Sequence, residues 1–260
     1  MTLEFVDTHC HLNHEDFDAD RDEARERAAA AHVSRLLCIG YDRASSRGAV
    51  ALTGSVGIYA AVGIHPTSAK EWNEETGAEM AALYRESAGR VAAYGEIGLD
   101  YYWEGVSRPR QQEVFAAQIS LAQNLCPTLP LIIHNREAQE NILAVLRASG
   151  TPAPVVMHCF TGDTEAARAC LDAGCYLGIG GVATFKKSDA VRAAVAYAPL
   201  ERLLLETDCP YLAPQFRRGR RNEPSYLPAI AETVAAAKGL TMEEIAAATT
   251  ATARGLFGMA

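Results

Sequence analysis

The chain has 260 residues, of which 49% are hydrophobic and 22% charged. That length and balance supply a sizeable core without disulfides, and they exclude disorder or a fibrous state as the main form. The formal net charge of −8 excludes a broad basic face that coats duplex DNA.

A local grip on nucleic acid remains open, because Arg217, Arg218, Arg220 and Arg221 fall within five positions. That cluster also reads as a solvated loop. The seven cysteines form no CxxC pair, and reduced thiols in the cytoplasm fit them best. The opening residues show no basic stretch followed by an apolar run, so no secretory signal is expected. No run approaches the ~18 apolar residues of a membrane span.

Eight short apolar runs follow one another along the chain. They are Phe5–His9, Leu36–Tyr41, Ile58–His65, Val91–Leu99, Leu129–His134, Pro154–Phe160, Tyr176–Gly181 and Leu203–Asp208. Several are nearly continuous rather than alternating, as in a strand buried on both faces. Helical patterns lie between and after them: Asp18–His32, Arg108–Leu125, Glu137–Ser149, Thr164–Ala173, Ser188–Tyr197, Leu227–Lys238 and Met242–Phe257. Asp163 or Thr164 is placed to cap the fourth, and Gly174 to end it. This rhythm predicts an α/β fold, a (β/α)8 barrel forming a single domain over residues 1–260. A doubly wound open sheet is the structural alternative.

The polar residues of these runs gather at their C-terminal ends. Asp7, His9 and His11 end the first, His65 the third, and Glu96 and Asp100 the fourth. His134, His158 and Asp208 end the fifth, sixth and eighth. In such a barrel those ends open on the face that carries active sites. Taken singly, each residue reads as a hydrogen-bonded core group, a strand-end ion pair or a turn cap. Taken together, six ionisable groups at one mouth would cost several kcal/mol per unpaired charge without a cation. Imidazole and carboxylate are preferred partners of divalent metals, and six ligands suit a two-metal catalytic site.

The motifs in order are Asp7-Thr-His-Cys-His-Leu12, Gly63-Ile-His-Pro66, Gly95-Glu-Ile-Gly-Leu-Asp-Tyr101 and Ile133-His-Asn-Arg-Glu-Ala138. His158-Cys-Phe-Thr-Gly162, Glu206-Thr-Asp-Cys-Pro-Tyr-Leu-Ala-Pro214 and Arg221-Asn-Glu-Pro224 follow. This series resembles the TatD family of metal-dependent deoxyribonucleases, within the amidohydrolase-like metal hydrolase superfamily, from Asp7 to about Phe257. The resemblance implies two divalent ions (Mg2+, Mn2+ or Zn2+). One would be held by His9, His11 and Asp208, the other by His134 and His158, with Glu96 bridging them. Asp208 would also act as general base toward a metal-activated water.

Around that set, Asp7 is expected to orient the His9 ring, with Asp100 in a similar supporting place. His65, Arg136, Phe160, Asn222 and Glu223 are expected to face the substrate. Tyr101, Tyr102 and Trp103 offer rings for base stacking. Cys10 and Cys159 sit beside ligands, but strand alternation turns them to the opposite face as packing residues. The family often has a second histidine two positions after His65; here Thr67 stands there.

The expected activity is phosphodiester hydrolysis on DNA, as a 3'-5' exonuclease on single strands, in DNA repair or degradation. The acidic balance and a bowl-shaped site favour a single strand or a 3' end over an internal duplex site. The expected partners are that strand, no membrane, and no second subunit. Ester hydrolysis, as in D-aminoacyl-tRNA deacylation, other amidohydrolase-type C–N or C–O cleavage, and a non-catalytic metal-binding scaffold are the rivals.

Overall fold

Residues 3–259 are described by a computed structural model. Each apolar run overlaps a strand: β1 Phe5–Cys10, β2 Val33–Ile39, β3 Ile58–Val62, β4 Val91–Asp100, β5 Leu131–Arg136, β6 Val155–Met157, β7 Tyr176–Ile179 and β8 Leu203–Leu205. They form one sheet in chain order, and the register is parallel along it. Helices supply the crossovers that parallel pairing requires. They are α1 Arg21–Ala30, α2 Arg43–Leu52, α3 Glu74–Glu86, α4 Arg108–Leu125, α5 Gln139–Ser149, α6 Thr164–Asp172, α7 Asp189–Tyr197, α8 Leu227–Lys238 and α9 Met242–Phe257. The fold is the predicted (β/α)8 barrel.

The patterning misses α2 and α3. Ser45, Ser46 and Gly48 lower the helix propensity of α2. Its start depends on a reciprocal cap instead. Asp42 accepts from Ser45 N at 2.7 Å, and the Ser45 hydroxyl accepts from Asp42 N at 2.9 Å. In α3 the buried stripe is only Thr76, Met80 and Ala81. The expected end of α6 is found: Asp163 accepts from Ala166 N at 2.9 Å, and Gly174 follows the helix at φ +82°.

The chain packs as two compact units. One takes the residues up to Cys38 together with those from Cys159 on. Within it β7 pairs with β8, β1 pairs with β2, and the chain after β8 returns to β1. Asp208 N donates to His9 O at 2.8 Å, and His11 N donates to Cys209 O at 2.7 Å. Phe5, Phe17, Leu177, Leu204, Ile230 and Val234 are buried in this unit. Each such side chain contributes roughly 1.5–3 kcal/mol by leaving water.

The other unit runs from Ile39 to His158. In it β3 to β6 pair in succession, with Val62 opposite Tyr94, Gly98 opposite His134 and Ile133 opposite Met157. Helix α4 covers β4 through buried Val114, Phe115, Ile119 and Ala122. The same helix buries two glutamines, seven positions and therefore two turns apart. Gln118 closes a pair of 2.9 Å bonds with Ile64 N and O, just before His65. Gln111 does the same with Asp100 N at 2.8 Å and Asp100 O at 2.7 Å. Each amide pins the backbone of a strand end that carries a site residue. Gln111→Leu is expected to lower stability by about 2–4 kcal/mol in urea unfolding, because it leaves three buried backbone groups, Asp100 N, Asp100 O and Val106 O, without their bonds.

Candidate metal centre

Period-two alternation decides what each strand end presents. His9 and His11 leave the same side of the end of β1, with ring centroids 5.0 Å apart. Asp208 sits three residues beyond β8 in left-handed backbone, φ +58°. Its Oδ1 lies 3.3 Å from His11 Nε2 and 3.8 Å from His9 Nε2. All three residues are buried. Imidazole and carboxylate, the groups that converge here, are donor types that a divalent ion prefers.

The loop that carries Asp208 is held from behind. Asn222 is fully buried, and its Nδ2 donates to Thr207 O and Tyr211 O, both at 2.7 Å. Its Oδ1 accepts from Glu223 N at 2.9 Å. Glu223 is engaged with Arg27, which donates from Nε to both carboxylate oxygens at 3.0 and 3.1 Å and from Nη2 at 2.8 Å. Burial pulls the Glu223 pKa up, but Arg27 and Ser225 outweigh it and the net direction is down. Arg221 is paired with Asp20 at 2.6 and 2.7 Å. Asn222 and Glu223 were expected to face substrate; their polar atoms instead brace the Asp208 loop and tie it to α1. Arg27→Met is expected to lower stability by about 1.5–3 kcal/mol, read as a shift in the urea midpoint, because it strips the buried Glu223 carboxylate of its charged donor.

Asp7 also acts on backbone. Its Oδ1 accepts from Thr207 N at 2.9 Å and His9 N at 3.3 Å, and its Oδ2 from the Thr207 hydroxyl at 2.6 Å. It therefore fixes the main chain beside His9 and Asp208. Burial pushes its pKa up to about 7. Phe160, another expected substrate contact, is 5% exposed and crowds Gly162, so its ring is core. Cys10 is buried, with Sγ 3.8 Å from Cys38 Sγ, and is the packing residue expected.

Glu206 received no role from the sequence. It is fully buried, and its Oε1 accepts from Cys159 N at 2.6 Å, the residue after His158. A side chain at position 178 would overlap its Oε2, so Gly178 makes its room. Its signal was an acidic residue ending an apolar run, the same signal that singled out Asp208.

In the second unit the cluster centres on Glu96. Its Oε1 lies 2.9 Å from His134 Nδ1 and 3.7 Å from both His158 Nε2 and His65 Nε2. Glu96, His134 and His158 together have the proximity needed to hold an ion. Glu96, Gly98 and Asp100 share one side of β4. That places Asp100 Oδ2 2.9 Å from His134 Nε2, leaving Nδ1 toward Glu96. Burial opposes charge on His134, but the bonds to Asp100 and Glu96 outweigh it and raise its pKa. A carboxylate on the far nitrogen of a ligand histidine fixes the ring and strengthens it as a donor. Asp100→Ala is expected to weaken metal binding about 10- to 100-fold, measured by competition with a chelating dye.

His65 stands against His134, ring centroids 4.2 Å apart. Burial, then the neighbouring His134 charge, pushes its pKa down to about 3. It is neutral at working pH. Thr67 N donates to His65 Nδ1 at 3.2 Å, so the ring proton sits on Nε2, facing Glu96. The Thr67 hydroxyl lies 2.6 Å from the same nitrogen. Arg136 is exposed at the end of β5.

The fold is shared over the whole chain, and over the whole of the other, with the crystal structure of the TatD homologue YjjV from Escherichia coli, at a TM-score of 0.93 and 29% identity. Barrel and donor sets together define a metal-dependent hydrolase. The family model described as TatD related DNase matches residues 6–258, and the chain belongs to that family. It is 44% identical over 253 residues to the Bacillus subtilis protein named uncharacterized metal-dependent hydrolase YabD, covering 96% of this chain and 98% of that one. It is 38% identical over 252 residues to the Erwinia amylovora protein named 3'-5' ssDNA/RNA exonuclease TatD, covering 94% and 95%. No helix among the described residues is long and apolar enough to cross a membrane.

Proposed function

We propose that this protein is a divalent-metal-dependent 3'-5' exonuclease on single-stranded DNA, working in the cytoplasm as a monomer. The observation that carries the reading is the pair of imidazole–carboxylate clusters, one around Asp208 and one around Glu96. In this reading His9, His11 and Asp208 would hold one ion, and Glu96, His134 and His158 the other. The ions would supply Lewis acidity toward a phosphoryl oxygen and toward water.

The chain's own groups then have distinct tasks. Asp208 accepts the proton of the attacking water as a new P–O bond forms in line with the leaving oxygen. The bond from phosphorus to the 3'-oxygen of the remaining strand breaks, and a nucleoside 5'-monophosphate departs. His65, held neutral with its proton on Nε2, donates a hydrogen bond to a phosphoryl or leaving oxygen. The name carried by the Erwinia relative supports the substrate and the polarity.

The test is nucleotide release from end-labelled single-stranded DNA with Mg2+ or Mn2+. Loss of mononucleotides from the 3' end, stopped by EDTA and restored by added metal, is the expected result. Release of an amino acid from a D-aminoacyl-tRNA, with no nucleotide release from DNA, would replace this reading by the ester-hydrolase one.

A further inference from the structure

The loop after β4 displays two large rings that the metal clusters do not use. Tyr102 is 49% exposed and Trp103 57%. Their centroids lie 5.0 Å apart, edge to face. The Arg136 guanidinium lies over the Tyr102 ring, 3.8 Å from its centroid, and 5.7 Å from that of Trp103. Arg108 lies over Tyr101 at 4.5 Å. Arg110, by contrast, is spent on a carboxylate, that of Glu113. Among the described residues, Arg136 and Arg108 have neither an ion pair nor a side-chain hydrogen bond.

The backbone beneath the rings is held by hydrogen bonds. Asp100 Oδ1 accepts from Tyr102 N and Trp103 N, both at 3.0 Å, while its Oδ2 bonds His134. Tyr101 N donates to Arg136 O at 2.9 Å, and Gln112 Nε2 donates to the Tyr101 hydroxyl at 2.6 Å. One carboxylate thus ties the exposed rings to a histidine of the proposed metal centre. Preorganised groups lose less freedom on binding.

We propose that Trp103, Tyr102 and Arg136 form a nucleotide shelf: a base of the bound strand stacks on Trp103, and Arg136 takes a backbone phosphate. The inference rests on the nucleic-acid reading above and names the side chains that recognise the strand. A nucleotide joins a flat π-face to an anion, and the shelf joins exposed aromatic faces to a guanidinium with free donors. A purely apolar partner would bury those donors without bonds. Stacking tolerates any base, so the shelf gives affinity for single strands without sequence preference.

The test is fluorescence anisotropy of a labelled phosphorothioate oligothymidine, against the same backbone without bases, on Mn2+-loaded protein. The wild type is expected to bind the base-bearing strand about 5- to 150-fold more tightly. Trp103→Ala erases that difference, and Arg136→Gln lowers the salt slope of binding by about 0.7, the share of one phosphate. In a Trp72→Phe background, Trp103 emission is quenched by the base-bearing strand and not by the abasic one. Equal binding of the two strands by the wild type, or unchanged discrimination in Trp103→Ala, overturns the shelf. If that wild type still releases nucleotides from end-labelled DNA, the shelf alone is wrong. If it releases none, the nucleic-acid reading beneath it has failed.

Discussion

Glu96→Ala is expected to lower turnover on end-labelled single-stranded DNA by about 100- to 1000-fold or more, the scale of losing a preorganised charge that acts on the transition state. Glu96 Oε1 approaches His134, His158 and His65, all within 3.7 Å. Removing it leaves three imidazoles without the carboxylate they surround, and it removes a ligand of the proposed centre. The fold should tolerate the change. The backbone N of Glu96 still donates to Gly40 O, and the flanking Ile97 and Leu99 remain buried. Circular dichroism and the urea midpoint therefore stay near those of the wild type while activity falls. A loss smaller than about tenfold in a folded variant would remove Glu96 from the centre of the mechanism.

Gly98→Ala should act in the opposite way, through the fold. Gly98 lies between Glu96 and Asp100 on the same side of β4 and pairs with His134. Its φ is +140°, a region that costs side-chain-bearing residues of order 1–3 kcal/mol. A Cβ there would stand 2.2 Å from His134 O, a backbone atom that cannot swing aside. Overpacking of this kind adds typically 1–3 kcal/mol. The sum, roughly 2–6 kcal/mol, is comparable to much of a domain's stability. Poor expression or a strongly lowered urea midpoint is the expected outcome, with His134 displaced in whatever still folds. A variant as stable as the wild type would mean that β4 and β5 separate more easily than their register implies.

The strand ends were legible in the sequence for a simple reason. Where a strand is buried on both faces, its residues run apolar, and a histidine or carboxylate at its end stands out. His9, Glu96, His134 and Asp208 were all visible in that way. The supporting residues were not, because their roles depend on partners far along the chain. Glu223 meets Arg27 across 196 positions, so an Asn-Glu-Pro loop that reads as substrate-facing turns out to be a brace. Gln118 meets Ile64 across 54 positions, and nothing in an amphipathic helix marks one glutamine as buried. Phe160 shows the same limit from the apolar side: ring type says nothing about whether Gly162 leaves it a place in the core. The α2 start was legible in principle, since Asp42 and Ser45 carry the reciprocal cap, but its serines and glycine hid the helix behind it.

The most direct test of the account is the number of divalent ions bound per chain, measured by elemental analysis after Mn2+ or Zn2+ loading and desalting. The wild type is predicted to hold two, and His11→Ala and His158→Ala one each, because each removes a ligand from a different cluster. One ion in the wild type, or two in both variants, would contradict an ion in each of the Asp208 and Glu96 clusters.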